Sequence, residues 1–293
     1  HGSRAYGLAR PNSDHDYKGI IVGPPAWYLG FQGGPEQVEL GPDHMHFELR
    51  KFMRLAAQGN PTLIECLFTD PADHTVVTPA GQRLLDARHA FLSKRVQGSF
   101  GGYAISQLKR IRTHRRWLLT PPATAPRRSD FGLPEHLSVP RDQLGAAEAL
   151  LARGEPLDLP PNFMAVLDAE RRYRGAKQEW QQFQTWQRQR NPKRAALEAQ
   201  HGYDTKHALH LVRLLRMGAE ILRTGTVQVR RPDREELLAI RDGAWDYDTL
   251  LTNAQALHAE VQAAARTSTL PEQADEAALD ALCVAIVHEV LRP

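Results

Sequence analysis

A Gly-Ser turn and two closely spaced carboxylates near the start of the chain could carry out phosphate chemistry. Asp14 and Asp16 are separated by one residue, and on a β-strand alternate side chains point to the same face. Their oxygens could then share hard cations such as Mg²⁺, which prefer carboxylate, phosphate and water ligands. Gly2 and Ser3 offer backbone N–H groups and a hydroxyl without bulk at Gly2, which suits close approach of a phosphate. Together these residues could catalyse phosphoryl or nucleotidyl transfer.

A polar turn is the alternative interpretation, because Asn12-Ser13-Asp14 would also suit a loop or a helix cap. The functional interpretation is favoured because the two Asp residues precede an apolar, β-branched strand and follow the Gly-Ser turn. Such a turn is expected to follow a strand and a helix. Since the sequence starts at His1, we expect that first strand and helix to be missing from it.

The spacing of apolar residues predicts an α+β fold, in which a small mixed sheet with helices is followed by a mostly helical second half. Strands are predicted at Tyr17–Val22, which should be buried, near Val38–Leu40, and at Asp43–Phe47. Gly59-Asn60-Pro61 is expected to end a helix that starts at Glu48 and to begin another. Further helices are predicted at about residues 80–97, 103–119, 162–190, 193–200, 204–223, 233–241, 246–267 and 272–291.

The chain is predicted to form two domains that meet near residue 98. Residues 1–98 would form the catalytic core, and residues 99–293 a helical domain whose first long helix is introduced by Gly101-Gly102. Prolines are concentrated between residues 120 and 162 and exclude a continuous helix there. We expect an irregular excursion with one short helix near residues 143–153.

The composition is that of a globular protein, with 42% hydrophobic and 24% charged residues. A net charge of +3 permits an anionic partner without requiring one. Two distant cysteines, Cys66 and Cys283, argue against a disulfide framework or a cysteine-ligated zinc site. No apolar run approaches the roughly 20 residues that span a bilayer, so we expect a soluble, cytoplasmic protein without a membrane partner.

Several motifs together resemble the DNA polymerase β-like nucleotidyltransferase superfamily, and in particular its predicted bacterial and phage branch, the YcgL-like group. The motifs are Gly2-Ser3-Arg4-Ala5-Tyr6-Gly7, Asp14-His15-Asp16-Tyr17, Leu49-Arg50-Lys51-Phe52 and Gly59-Asn60-Pro61. The resemblance covers about the first 115 residues and continues weakly at Asp204-Thr205-Lys206-His207. It implies that Asp14 and Asp16 hold two Mg²⁺ ions, with Mn²⁺ as an alternative. It also implies that Ser3, between Gly2 and Arg4, contacts nucleotide phosphates.

The superfamily uses a third carboxylate on a later strand, and Asp43 is the favoured candidate because it opens the short strand that leads into the next helix. Glu48 and Glu39 are alternatives, and a simple loop acid is the structural interpretation of Asp43. The third acid would bind the catalytic metal and help to deprotonate the attacking hydroxyl, since a metal-bound hydroxyl loses its proton more easily.

His44 and His46 lie on one face of the same predicted strand, and His1 and His15 are nearby in sequence. Imidazoles at this spacing could contribute to a zinc site. Because the carboxylates already define a site for a hard metal, we interpret the two histidines as polar strand residues near a cleft.

Two helices carry cations at helical spacing and could bind a nucleotide. The first stripe contains Tyr103, Gln107, Arg110, His114 and Trp117. Gln107 and Arg110 are its favoured nucleotide contacts, and a solvated basic helix is the alternative. The second stripe contains Lys206, His210 and Arg213 opposite an apolar face. It could bind the triphosphate or an acceptor backbone, or be the outer face of an ordinary amphipathic helix.

Residues 171–190 interleave arginines and a lysine with Trp180, Phe183 and Trp186. Such a mixture can bind nucleic acid by phosphate pairing and base stacking. The near-helical spacing of the three aromatic residues favours a core role instead.

The leading prediction is a Mg²⁺-dependent nucleotidyltransferase that transfers NMP from an NTP to an acceptor hydroxyl and releases pyrophosphate. The Arg-rich helical half favours RNA, such as a tRNA-like or damaged end, as the acceptor. The alternatives are a protein nucleotidylyltransferase that acts as a regulator or toxin, and a non-catalytic NTP- or RNA-binding module. The intact pair of Asp14 and Asp16 argues against the non-catalytic alternative. The identity of the NTP and the oligomeric state stay open.

Overall fold

The computed structural model describes residues 1–136, 145, 146, 149 and 161–292 of the chain. Its sheet contains β1 (Tyr17–Ile21), β2 (Gln37–Gly41) and β3 (His44–Glu48). Strand β3 is central and lies parallel to β1 and antiparallel to β2. Because helices form most of the other described residues, the predicted α+β class is confirmed.

The helices have the following bounds: α1 (Gly2–Ala5), α2 (Ala26–Leu29), α3 (Leu49–Ala57), α4 (Pro61–Leu67), α5 (Pro79–Asp86), α6 (Arg95–Leu119), α7 (Pro161–Gln189), α8 (Pro192–His201), α9 (Thr205–Thr224), α10 (Arg234–Arg241), α11 (Tyr247–Thr267) and α12 (Glu276–Leu291). Helices α7 to α12 agree closely with their predicted positions. The short helix predicted near residues 143–153 lies largely outside the described residues. In the part of the chain that is described, no helix is both long enough and apolar enough to cross a membrane.

Strand β1 is more exposed than its sequence predicts. Tyr17 is 43% exposed and Ile20 is 38% exposed. The physical reason is that β1 lies at an edge of the sheet and is hydrogen-bonded to β3 on one side only, as far as the described residues show. Tyr17 pairs with His44, so the two parallel strands begin side by side and the residues ahead of each strand become neighbours.

The single helix predicted at residues 80–97 is wrong. Helix α5 ends at Asp86, a 3₁₀ turn covers Arg88–Phe91, and α6 begins only at Arg95. The break turns Phe91 and Leu92 into the core, where both are almost completely buried. Helix α6 also starts earlier than predicted and passes through the glycine pair, because the burial of its apolar side chains offsets the roughly 1 kcal/mol by which a helical glycine is disfavoured.

The junction between α3 and α4 follows its sequence signals. Gly59 adopts a left-handed conformation with φ of 77°, which ends α3 without steric conflict. The Asn60 side chain accepts hydrogen bonds from the N–H groups of Thr62 and Leu63, and Pro61 occupies the first turn of α4. The prediction that Gly59-Asn60-Pro61 stops one helix and starts another is confirmed.

The tertiary contacts divide the chain into two compact units, one of residues 1–112 with 197–293 and one of residues 113–196. In the first unit α9 packs against α10 and α11, and Phe52 and Phe100 are fully buried. The predicted boundary at residue 98 would separate elements that this unit holds together. The sequence pattern shows that the C-terminal helices have apolar faces, but it does not show which faces meet.

An ion-pair network joins the end of α9 to the start of α10. Arg231 is buried, and its side chain donates to Glu220 and Asp233. Arg216 donates to the same Asp233 carboxylate over 2.7 Å. The backbone N–H of Arg231 also donates to the carbonyl of Tyr6 over 3.0 Å, which ties the N-terminal segment to this network.

The second unit has an aromatic core of its own. The rings of Trp117, Phe183 and Trp186 lie 5.4–5.9 Å apart, and Trp117 and Phe183 are buried. Glu179 accepts a hydrogen bond from the Trp117 indole N–H and forms an ion pair with Arg116. The core interpretation is therefore confirmed for Phe183, whereas Trp180 and Trp186 are half-buried at the edge of this cluster.

Candidate active site

The two Asp residues lie in the irregular segment directly ahead of β1, rather than on a strand. Asp43 occupies the turn between β2 and β3 in a left-handed conformation with φ of 57°. The N–H of Tyr17 donates to the carbonyl of Asp43 over 2.8 Å. Because Tyr17 and His44 are paired, Asp16 and Asp43 immediately precede neighbouring strand positions. The parallel register thus places Asp43, the predicted third carboxylate, next to Asp16.

The electrostatics of Asp16 reflect this crowding. Partial burial, then the charge of Asp43 and more weakly that of Asp14, raise the pKa of Asp16, while Lys18 opposes the shift. The charges of Asp43 and Asp14 therefore repel that of Asp16, and the three acids offer the hard oxygen donors that Mg²⁺ or Mn²⁺ prefers.

The three side chains do not converge as a bound metal would require. Among residues 1–136 and 161–292, no three His, Cys, Asp or Glu side chains are close enough to form a metal site. The chemistry of the donors fits a hard cation, but their side chains would have to rotate towards each other to hold one.

The Gly-Ser segment lies against the carboxylates and forms the single turn of α1. A Cβ atom at Gly2 would lie 1.9 Å from Oδ2 of Asp16, and Gly2 has a φ of 72°. Only glycine fits this backbone position. The Arg4 guanidinium donates to the carbonyl of Ser13 over 3.0 Å, which fixes the segment that carries Asp14. The structure thus brings the predicted phosphate-binding turn and the predicted metal ligands together.

A buried polar network that the sequence interpretation missed holds this turn in place. Tyr6, directly after α1, donates its hydroxyl to Glu65 of α4 over 2.5 Å, and Arg213 of α9 donates to the other oxygen of Glu65. The Arg213 guanidinium carbon lies 3.8 Å from the centre of the Tyr6 ring. Glu65 is 1% exposed and Arg213 is 4% exposed.

The network raises the pKa values of Tyr6 and Arg213. Burial and the negative charge of Glu65 raise the pKa of Tyr6 despite the opposing effect of Arg213, so the hydroxyl stays protonated. Burial disfavours the charged form of Arg213, but Glu65 and Tyr6 outweigh it and raise its pKa. Two sequence signals could have revealed this network. They are the carboxylate within the apolar run of α4 and the arginine within the apolar run of α9.

The prediction that Arg213 belongs to an outer basic face is wrong, because Glu65 neutralises it inside the core. Lys206 and His210 are half-buried on the same helix. On α6, Gln107 is only 4% exposed whereas Arg110 is exposed, so the stripe predicted there is not a single solvent-facing surface.

The alternative third acids have other positions. Glu48 is buried and caps α3, accepting from the N–H groups of Arg50 and Lys51. Glu39 is exposed on β2. A helix cap is a sufficient structural explanation for Glu48, which leaves Asp43 as the carboxylate that lies beside Asp16.

His44 and His46 lie on one face of β3, as predicted, with their Nε2 atoms 3.0 Å apart. A Cβ atom at Gly19 would lie 2.7 Å from the His46 ring, so the histidines cover the β1 backbone closely. Burial and the neighbouring His44 lower the pKa of His46. The lowered pKa favours the neutral form of His46, which is hydrogen-bonded to His44.

Comparison with known proteins agrees with this geometry. Residues 1–119 match the model of the RlaP family, described as the RNA repair pathway DNA polymerase beta family. The matched residues contain the sheet, α1 to α6 and all three carboxylates. The predicted resemblance to polymerase β-like nucleotidyltransferases is thus confirmed for this part of the chain, which is less than half of its 293 residues.

A particular relative is the protein named "Uncharacterized protein YcgL" of Bacillus subtilis (strain 168). It is 35% identical over 86 residues, which are 28% of this chain and 33% of the relative. The chain therefore matches about a third of that protein. No solved structure matches the chain.

Proposed function

We propose that the protein is a metal-dependent nucleotidyltransferase that transfers NMP from an NTP to an acceptor hydroxyl with release of pyrophosphate. The observation that carries the proposal is the contact of the Gly2 backbone with the Asp16 carboxylate. The contact brings the proposed phosphate-binding turn next to a proposed metal ligand, within the segment that matches a polymerase β family. The turn alone, or the acidic residues alone, would support the proposal only weakly.

Each side chain has a proposed role. Asp14, Asp16 and Asp43 would hold Mg²⁺, or Mn²⁺ in its place. When bound, the metal supplies charge neutralisation and acidifies the attacking hydroxyl. Gly2 and Ser3 bind the phosphates through backbone N–H groups and the Ser3 hydroxyl.

The second group of proposed contacts is cationic. Arg4 donates to the Ser13 carbonyl and orients the acidic segment beside the phosphates. Arg110, Lys206 and His210 remain proposed phosphate contacts.

RNA is the proposed acceptor class. The matched family is a polymerase β-like nucleotidyltransferase family linked to RNA repair, and the Arg-rich sequence of the second unit is consistent with a polyanionic partner. A cytoplasmic location is part of the same proposal. A protein hydroxyl as acceptor is the second candidate, since the chemistry proposed for the three acids is the same for either hydroxyl.

The proposal is tested by incubating the purified protein with each α-³²P-labelled NTP, Mg²⁺, and either total RNA or total protein. We expect label on RNA, lost in Asp14→Asn and Asp16→Asn and retained in the control Asp86→Asn, which changes an exposed acid of α5. Label on protein alone would show that the acceptor is a protein and not RNA. Equal labelling by all three variants would refute the metal-dependent mechanism.

A further inference from the structure

Positive charge is unevenly distributed between the two units. Residues 113–196 contain fourteen Lys and Arg against nine Asp and Glu, whereas the whole chain has 37 against 34. The second unit therefore holds the entire positive excess of the protein. A unit with this balance attracts polyanions through its summed field as well as through individual contacts.

Helix α7 exposes some of its cations and stacks another on an aromatic ring, since the Arg190 guanidinium carbon lies 4.8 Å from the centre of the Trp186 ring. Phe183 is buried in the aromatic core of the second unit, whereas Lys177 and Arg188 are exposed. Glu179 is the sole acidic residue of the sequence between residues 171 and 196, and it is engaged with Trp117 and Arg116. The exposed residues from Lys177 to Lys193 are thus cations, glutamines and other uncharged side chains.

The chemistry of this face excludes two kinds of partner. Among residues 164–196 no large apolar side chain is exposed, so this part of α7 and α8 lacks the anchors by which amphipathic helices insert into membranes. The aromatic rings of the second unit pack on each other, so the face does not offer a series of rings for base stacking. Cations and amides without apolar anchors suit phosphodiester groups, to which arginine and glutamine donate hydrogen bonds.

The spacing of the cations also suits a nucleic-acid backbone. Lys177 and Arg188 are eleven positions apart on α7, or about 16 Å along the helix axis at 1.5 Å per residue. Lys193 follows in the first turn of α8 and is also exposed.

We infer that the exposed cations Lys177, Arg188 and Lys193 bind the phosphate backbone of the RNA acceptor without reading its sequence. The inference rests on the proposed function for the identity of the partner, while the charge and burial of α7 and α8 carry the assignment of the surface. Because phosphate contacts release counterions, binding by this face weakens as salt rises.

The inference is tested with Lys177→Gln/Arg188→Gln/Lys193→Gln, which removes three charges from exposed positions and keeps good helix formers. The matched control Arg223→Gln/Arg266→Gln/Arg292→Gln removes three exposed charges from the first unit. The probe is a fluorescein-labelled, mixed-sequence single-stranded RNA, titrated without NTP at several salt concentrations. Circular dichroism and thermal unfolding check that each variant is folded.

We expect the α7–α8 variant to bind RNA about tenfold or more weakly and its log–log salt slope to fall by about 2, at roughly 0.7 per lost phosphate contact. The control should stay within about twofold of wild type. Equal binding by all three proteins, or binding to phosphatidylserine vesicles in preference to RNA, overturns the inference. Unchanged RNA binding with intact NMP transfer leaves the proposed function standing. Charge-dependent RNA binding without NMP transfer rejects the proposed function but not the surface.

Discussion

Removing either charge of the Glu65–Arg213 pair should severely destabilise the protein. Both side chains are almost fully buried, and Glu65 also accepts from Tyr6. Glu65→Gln leaves the Arg213 guanidinium without its counter-charge, and Arg213→Gln leaves Glu65 in the same state. An uncompensated buried charge costs about 3–5 kcal/mol, which is a large part of the 5–15 kcal/mol typical of a folded domain.

The double variant Glu65→Gln/Arg213→Gln separates charge from packing. With both charges removed, we expect a loss well below the sum of the two single losses, which gives a coupling energy of about 1–3 kcal/mol in the double-mutant cycle. Tyr6→Phe removes one hydrogen bond to a charged group and should cost about 1.5–3 kcal/mol. Free energies of unfolding from urea titrations followed by circular dichroism measure all four values.

A surface pair provides the control. Arg223 and Glu260 are 2.9 Å apart but half exposed, so Arg223→Gln should cost less than about 1 kcal/mol. The reasoning is refuted if Glu65→Gln and Arg213→Gln each cost no more than this control, or if their effects simply add.

Three further predictions concern the site and the acid stability of the fold. Gly2→Ala should abolish NMP transfer because its Cβ would collide with Asp16, while Gly33→Ala, which has a similar φ of 67° but open space around it, should retain transfer. Asp16→Asn should raise the thermal midpoint of the metal-free protein, because it relieves repulsion among three acids, and it should also abolish transfer. Burial raises the pKa of Asp233 but hydrogen bonds from its two arginine partners outweigh it, so the folded pKa lies below the ordinary 3.8. The stability that Asp233 contributes is present above pH 3.8 and lost as pH falls through the folded pKa, so wild type and Asp233→Asn should converge in unfolding titrations at lower pH.

The features that sequence predicts best are those encoded locally. The junction at Gly59-Asn60-Pro61 is specified by a glycine, a capping side chain and a proline within three residues. The bounds of the C-terminal helices follow from caps such as Asp204 and Gly225, which mark the ends of α9. The close approach of Asp43 to Asp16 was predictable only once a parallel pairing of their strands was assumed.

Long-range pairing explains what the sequence did not reveal. Glu65 and Arg213 are 148 residues apart, and no local pattern states that one neutralises the other. An arginine on an amphipathic helix is usually exposed. The prediction that Arg213 lies on an outer face followed this general rule. The composition of the first unit could not be predicted for the same reason. Its two segments are joined by contacts between elements that are distant in sequence.

The division of the first unit into two segments has a consequence for protein synthesis. Residues 1–112 contain the whole acidic site, but the helix that neutralises Glu65 leaves the ribosome only after the entire second unit has been translated. Domains usually fold as units, in order of their synthesis, so here the inserted segment can fold before the segment that precedes it. A nascent chain thus keeps the Gly2–Asp16 site without its buried support until α9 emerges. Premature termination within residues 113–196 yields a chain that contains Asp14, Asp16 and Asp43 but lacks α9 and its Arg213.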